Sequence, residues 1–108
     1  MKEELIKAGK IAAEAREFAK NIVKENSKLL DVAEKIENKI FELGGKCAFP
    51  VDLSIGNIAA HYSPDVNEET VFKKGDLVKV DLGVHIDGYL VDTAITVEVN
   101  SSKNKKLL

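Results

Sequence analysis

VKVDLGVHIDGYLVDTAITVEV, residues 78–99, is the stretch on which the fold turns. Two runs rich in β-branched and apolar residues flank Asp87-Gly88, a dipeptide suited to a two-residue type I′ turn, where both central positions need φ > 0. The stretch therefore predicts a β-hairpin. With Asp87 and Gly88 as the whole loop, Ile86 faces Tyr89, Val84 faces Val91, Leu82 faces Thr93, Val80 faces Ile95 and Val78 faces Val97. That face is almost wholly apolar.

The other face carries Lys79, Asp81, Gly83 and His85 on the first strand and Leu90, Asp92, Ala94 and Thr96 on the second. Gly83 then lies across from Asp92, and Ala94 across from Asp81. The two carboxylates are diagonal neighbours with β-carbons roughly 7 to 8 Å apart or a little less. Such a pair could close on two divalent cations, which sit about 3.5 to 4 Å apart in two-metal hydrolytic sites. A three-residue loop would turn Asp92 to the opposite face, but five consecutive apolar cross-strand pairs favour the shorter one. A solvated polar sheet face is the competing reading, and spacing alone leaves both open. Like charges this close cost energy unless something neutralises them, and a cation does so.

Outward from the hairpin, residues 3–24 repeat Leu5, Ala8, Ala12, Ala15, Ala19 and Ile22 at steps of three and four, with Ile11, Phe18 and Val23 beside the stripe. That period predicts an amphipathic helix. Asn26 and Ser27 offer N-cap chemistry for a second helix with Leu29, Leu30, Ala33, Ile36, Ile40 and Leu43 buried, and Gly44-Gly45 ends it. The charged residues of both helices read as solvated faces. In CAFPVDLSIGNIAAHYSP, residues 47–64, turn formers at Pro50, Asp52, Ser54, Gly56, Asn57, Ser63 and Pro64 predict a loop-strand-loop passage, with residues 58–62 as a brief strand. His61 within it is a candidate for a binding role or for a plain structural one. Lys73-Lys74-Gly75-Asp76 reads as the turn feeding the hairpin, and residues 103–108 as the start of a further helix.

The 108 residues suit one domain with a modest core. A hydrophobic share of 44%, a charged share of 31% and a net charge of −2 with no basic stripe argue for a globular chain and against nucleic acid as the main partner. No apolar run reaches the roughly 18 to 20 residues that span a bilayer, so no membrane partner is expected. The N-terminus lacks the apolar core of a signal peptide. The single cysteine, Cys47, forms no internal disulfide, which suits a cytoplasmic protein; it is assigned no role.

Three segments, AFPVDLSIGNIAAHYSP, KKGDLVKVDLGVHIDGYL and VDTAITVEV, together with AGKIAAEAR and LLDVAEKIENKIFELGG in the helices, resemble the methionine aminopeptidases, specifically the type II branch in its archaeal form. The resemblance covers nearly the whole chain. It implies an α+β fold, half of a pita-bread (creatinase/aminopeptidase) architecture in which two helices pack on a mainly antiparallel sheet. Residues 1–108 would be the N-terminal half of the metallopeptidase domain, ending before the second half. By the same resemblance the activity is metal-dependent removal of the initiator methionine from the N-terminus of a nascent polypeptide, with two divalent cations (Co, Mn, Fe or Zn) as cofactors. Asp81 and Asp92 match the first two metal-binding carboxylates, with Asp92 bridging. His61 is similar to an active-site histidine that contacts the substrate, and Phe49 falls where the family lines the methionine pocket. Thr93 or nearby backbone would orient the aspartates.

Gly56-Asn57 departs from the family's commoner Asn-Glu or Asn-Asn, which bears on loop shape. The larger departure lies beyond the hairpin. The family's remaining ligands, a histidine and two glutamates, and a second active-site histidine belong to its second half, whereas here Glu98 is the only side-chain carboxylate after Asp92 and no histidine follows. This predicts weak cation binding by the chain alone, and self-association or a complementary C-terminal half covering the open sheet face. A catalytically silent binding module on the same fold is the rival reading, disfavoured because Asp81, Asp92 and His61 are all present.

Overall fold

A computed structural model describes residues 3–56 and 69–99. Within these residues two helices, α1 (Glu3–Ile22) and α2 (Leu29–Glu42), precede four strands, β1 (Lys46–Cys47), β2 (Asp52–Gly56), β3 (Leu77–Ile86) and β4 (Tyr89–Glu98). All pairings are antiparallel, so the architecture is α+β as the sequence predicts. β3 is the central strand. It pairs with β4 along one edge and, along the other, with β2 at its beginning and β1 at its end.

The hairpin has the expected two-residue loop. Asp87 and Gly88 take φ of 50° and 90°, and the register runs from Ile86↔Tyr89 to Leu77↔Glu98 without a bulge. Even-numbered β3 residues Val78, Val80, Leu82 and Val84 are fully buried beneath the helices. α1 contributes Ala8, Ala12, Ala15 and Ala19, small side chains that let its axis lie close on β3 and β4, with Ile11 beside them. α2 contributes Leu29, Val32, Ile36 and Ile40. The two helices and the apolar sheet face thus share one continuous core.

α2 stops by the expected means, though it starts by another. At its end Gly44 takes φ of 102°, its N–H donates to Phe41 O, and Gly45 N–H donates to Ile40 O, the paired bonds of a Schellman cap. At its start the expected side-chain cap from Asn26 or Ser27 is absent. The N-cap residue is Lys28, in extended backbone and with no side-chain capping bond. A tertiary pairing takes the cap's place: Leu29 N–H donates to Thr70 O, Asn26 N–H to Phe72 O and Phe72 N–H to Ser27 O. The Leu29 bond satisfies a first-turn donor of α2 that a capping side chain would otherwise reach, and Asn26 sits at φ of 71° to make the turn. Phe72, fully buried, anchors the arrangement.

The passage expected as loop-strand-loop contains a strand earlier than predicted. β2 runs through Asp52, Ser54 and Gly56, three of the residues taken as turn formers. Leu53 and Ile55 face the core opposite Val80 and Val78, so a period-two pattern overrode the turn chemistry of its polar members. The brief strand expected at residues 58–62 lies outside the described residues, as do residues 103–108. The turn before β3 forms as expected, with Asp76 N–H donating to Lys73 O, Lys73 N–H to Asp76 Oδ2, and Gly75 at φ of 91°. No helix among the described residues is long and apolar enough to cross a membrane.

Candidate functional site

The face of the sheet turned away from the helices is built by the alternation of β3 and β4. Its pairs are Lys79↔Thr96, Asp81↔Ala94, Gly83↔Asp92 and His85↔Leu90. Asp81 and Asp92 therefore stand on one surface as diagonal neighbours, separated by the small residues Gly83 and Ala94. Asp92 is exposed and Asp81 half-buried.

β2 adds a third carboxylate that the sequence reading passed over. Asp52 is the cross-strand partner of Asp81, on the same face, with Ser54 beside Lys79. The alternation of Leu53 and Ile55 with Asp52 and Ser54 was the signal that could have found it. Lys79 Nζ lies 3.5 Å from Asp81 Oδ2. Lys46 flanks the face at the far end, opposite His85.

Phe49 joins this surface from the segment between β1 and β2. Its ring lies over Gly83: a β-carbon placed there would sit 2.5 Å from Phe49 Cε2 and 3.0 Å from Asp92 Oδ1. Only a residue without a side chain leaves the ring room to rest against the strand beside Asp92. Two local bonds hold the segment in place. Ala48 N–H donates to Gly83 O at 2.9 Å, and Val51 N–H donates to Glu37 Oε2 at 2.9 Å. The Glu37 carboxylate also bears on Cys47, whose thiol is pushed above its ordinary value of 9.0 by burial first and by that negative charge second.

Three of the residues singled out from sequence, Phe49, Asp81 and Asp92, are thus neighbours on one face. His61 lies outside the described residues. Thr93 is a correction. It faces the helices, not the aspartates, and its Oγ1 accepts a hydrogen bond from Arg16 Nη1 at 3.1 Å. Being the next residue after Asp92 on an extended strand, it necessarily points to the other side. It fastens α1 to β4.

The aspartates offer oxygen donors of the type that divalent cations take. Among the described residues no three of His, Cys, Asp and Glu converge as a cation cage. The face therefore suits such ions in ligand type, without a cage for one among the described residues.

Comparison with known proteins places this geometry in a family. The model of metallopeptidase family M24 matches residues 3–108, and the chain belongs to that family. It is 57% identical over 97 residues to the methionine aminopeptidase of Pyrococcus horikoshii, an alignment covering 90% of this chain and 33% of that protein. Among solved structures it is similar to the methionine aminopeptidase of Thermotoga maritima, with a TM-score of 0.75 and 29% identity over 97% of this chain and 45% of that one. It is also similar to the prolidase of Pyrococcus horikoshii, with a TM-score of 0.77 and 30% identity over 96% of this chain and 30% of that one. The chain spans about a third of the length of the curated archaeal relatives it matches. The fold is accordingly the pita-bread type expected from the resemblance.

Proposed function

We propose that the chain carries the N-terminal part of a methionine aminopeptidase site, in which Asp81 and Asp92 hold divalent cations and Phe49 and His61 meet the substrate, His61 as the catalytic histidine. The observation that carries the reading is the common face of the two aspartates with the Phe49 ring packed beside Asp92. The 57% identity to the methionine aminopeptidase of Pyrococcus horikoshii, against 30% to the prolidase of the same organism, favours a methionine-specific substrate. When bound, such cations supply Lewis acidity and activate water for attack on a peptide carbonyl.

The chain's own residues do the rest. Asp81 and Asp92 concentrate negative charge where cations and a substrate's free amine are attracted. Phe49 offers an apolar, polarizable wall suited to a thioether side chain. Gly83 keeps that wall close to the carboxylates. His61 hydrogen-bonds the substrate or the departing nitrogen.

The test is methionine release from a Met-Ala-Ser peptide with Mn²⁺ or Co²⁺, using the product of the full reading frame. Asp92→Asn should cut the rate by at least about 10²-fold, the scale seen on losing a transition-state electrostatic partner. Equal rates in the two proteins, or preferential cleavage of a Xaa-Pro peptide, would refute the reading.

A further inference from the structure

Among the described residues of the aspartate face, Lys79 holds an ammonium placed to compete with whatever cation the carboxylates attract. Lys79 precedes Asp81 by two residues on β3, so both side chains rise from the same face, and Nζ stands 3.5 Å from Asp81 Oδ2. Its cross-strand neighbours are Ser54 and Thr96, neither of which carries charge. Asp81, by contrast, has Asp52 directly across on β2 and Asp92 diagonally across on β4. Asp81 is thus the middle of three carboxylates on one face, and Lys79 answers it.

We propose that Lys79 is a built-in counter-ion: it neutralises Asp81 when no cation is bound and is displaced, at a cost in affinity, when a divalent cation binds. The inference rests on Asp81 and Asp92 being cation ligands. Its physical basis is charge alone. A flexible ammonium relieves the repulsion among the carboxylates, yet it also repels an incoming dication across a few ångströms. Because the Lys79 side chain is 59% exposed, the pair adds little to folding stability, so removing it should leave the fold intact. The effect on cation uptake is then separable from any effect on structure.

The experiment measures Mn²⁺ uptake by the product of the full reading frame, reading free Mn²⁺ by electron paramagnetic resonance. Lys79→Met should bind Mn²⁺ roughly three- to tenfold more tightly than wild type at low ionic strength, and the gain should shrink at 1 M salt as screening removes the repulsion. Lys79→Arg, which keeps the charge, should behave as wild type. Equal or weaker uptake by Lys79→Met overturns the inference. Asp81→Asn provides the separate control: if it binds Mn²⁺ as well as wild type, or if wild type takes up none, the ligand assignment beneath the inference falls.

Discussion

Replacing Gly83 by alanine isolates the contact that holds Phe49 beside Asp92. The added β-carbon would lie 2.5 Å from Phe49 Cε2, 3.1 Å from Cδ2 and 3.0 Å from Asp92 Oδ1, against an ordinary carbon–carbon separation of about 3.5 to 4.0 Å. Something must yield by about 1 Å. The backbone at Gly83 is ordinary strand with no positive φ, so without the ring an alanine would be tolerated there and would stabilise by about 0.4 to 1 kcal/mol through the unfolded chain. With the ring in place, overpacking costs about 1 to 3 kcal/mol, so the sign reverses and Gly83→Ala should destabilise by about 1 to 2 kcal/mol. Urea denaturation with linear extrapolation resolves such a difference. The deciding comparison is a double-mutant cycle. In a Phe49→Ala background the same substitution should be neutral or stabilising, giving a coupling of about 1 to 3 kcal/mol. If Gly83→Ala stabilises the wild-type protein, or costs the same with and without the ring, Phe49 does not lie on the strand and the substrate wall proposed above loses its support.

Other substitutions test the frame around the site. Phe72→Ala empties a fully buried position and should cost about 3 to 5 kcal/mol, seen as a melting temperature lower by more than about 10 °C; a loss under about 1 kcal/mol would show that the pairing of residues 26–29 with 70–72 does not depend on that ring. Gly88→Ala forces a side chain into φ of 90° and should cost about 1 to 2 kcal/mol in the same denaturation assay, whereas an unchanged midpoint would contradict the type I′ turn. Glu37→Gln removes the lesser of the two influences on Cys47, so the pH profile of thiol alkylation should move down while staying above 9.0, because burial persists; no movement, or movement upward, would refute the charge effect. The folded thiol holds its proton more tightly than the unfolded one. Stability should therefore fall as pH rises past 9.0, through the folded value, and Cys47→Ala should flatten that decline.

The hairpin was legible because three local signals agreed: the Asp87-Gly88 turn, the alternation of Val78, Val80, Leu82 and Val84, and the matching alternation from Val91 to Val97. With the register known, the shared face of Asp81 and Asp92 followed by counting. β2 was hidden because Asp52, Ser54 and Gly56 are common in turns, and only pairing with β3, distant in sequence, makes them strand residues. The α2 cap misled for the same reason. Asn26 and Ser27 have the right side chains, but backbone from residues 70–72 reaches the donors first. The role given to Thr93 came with the family likeness and ran against the hairpin register, which puts it on the helix-facing side, where it meets Arg16. Phe49 came from family likeness. Nothing local to it announces that its ring rests on Gly83.

The β3–β4 ribbon is fastened at both extremities, by the tight turn at Asp87-Gly88 and by reciprocal bonds at the open end, where Gly75 N–H donates to Val99 O and Val99 N–H to Asp76 O. A one-residue slip would have to break both closures at once and would turn the core-facing side chains of the slipped strand into water. The distance between the two aspartates is thus ruled by main chain rather than by their neighbours. Surface side chains between the two closures can change in evolution or in the laboratory while the acidic pair keeps its gauge.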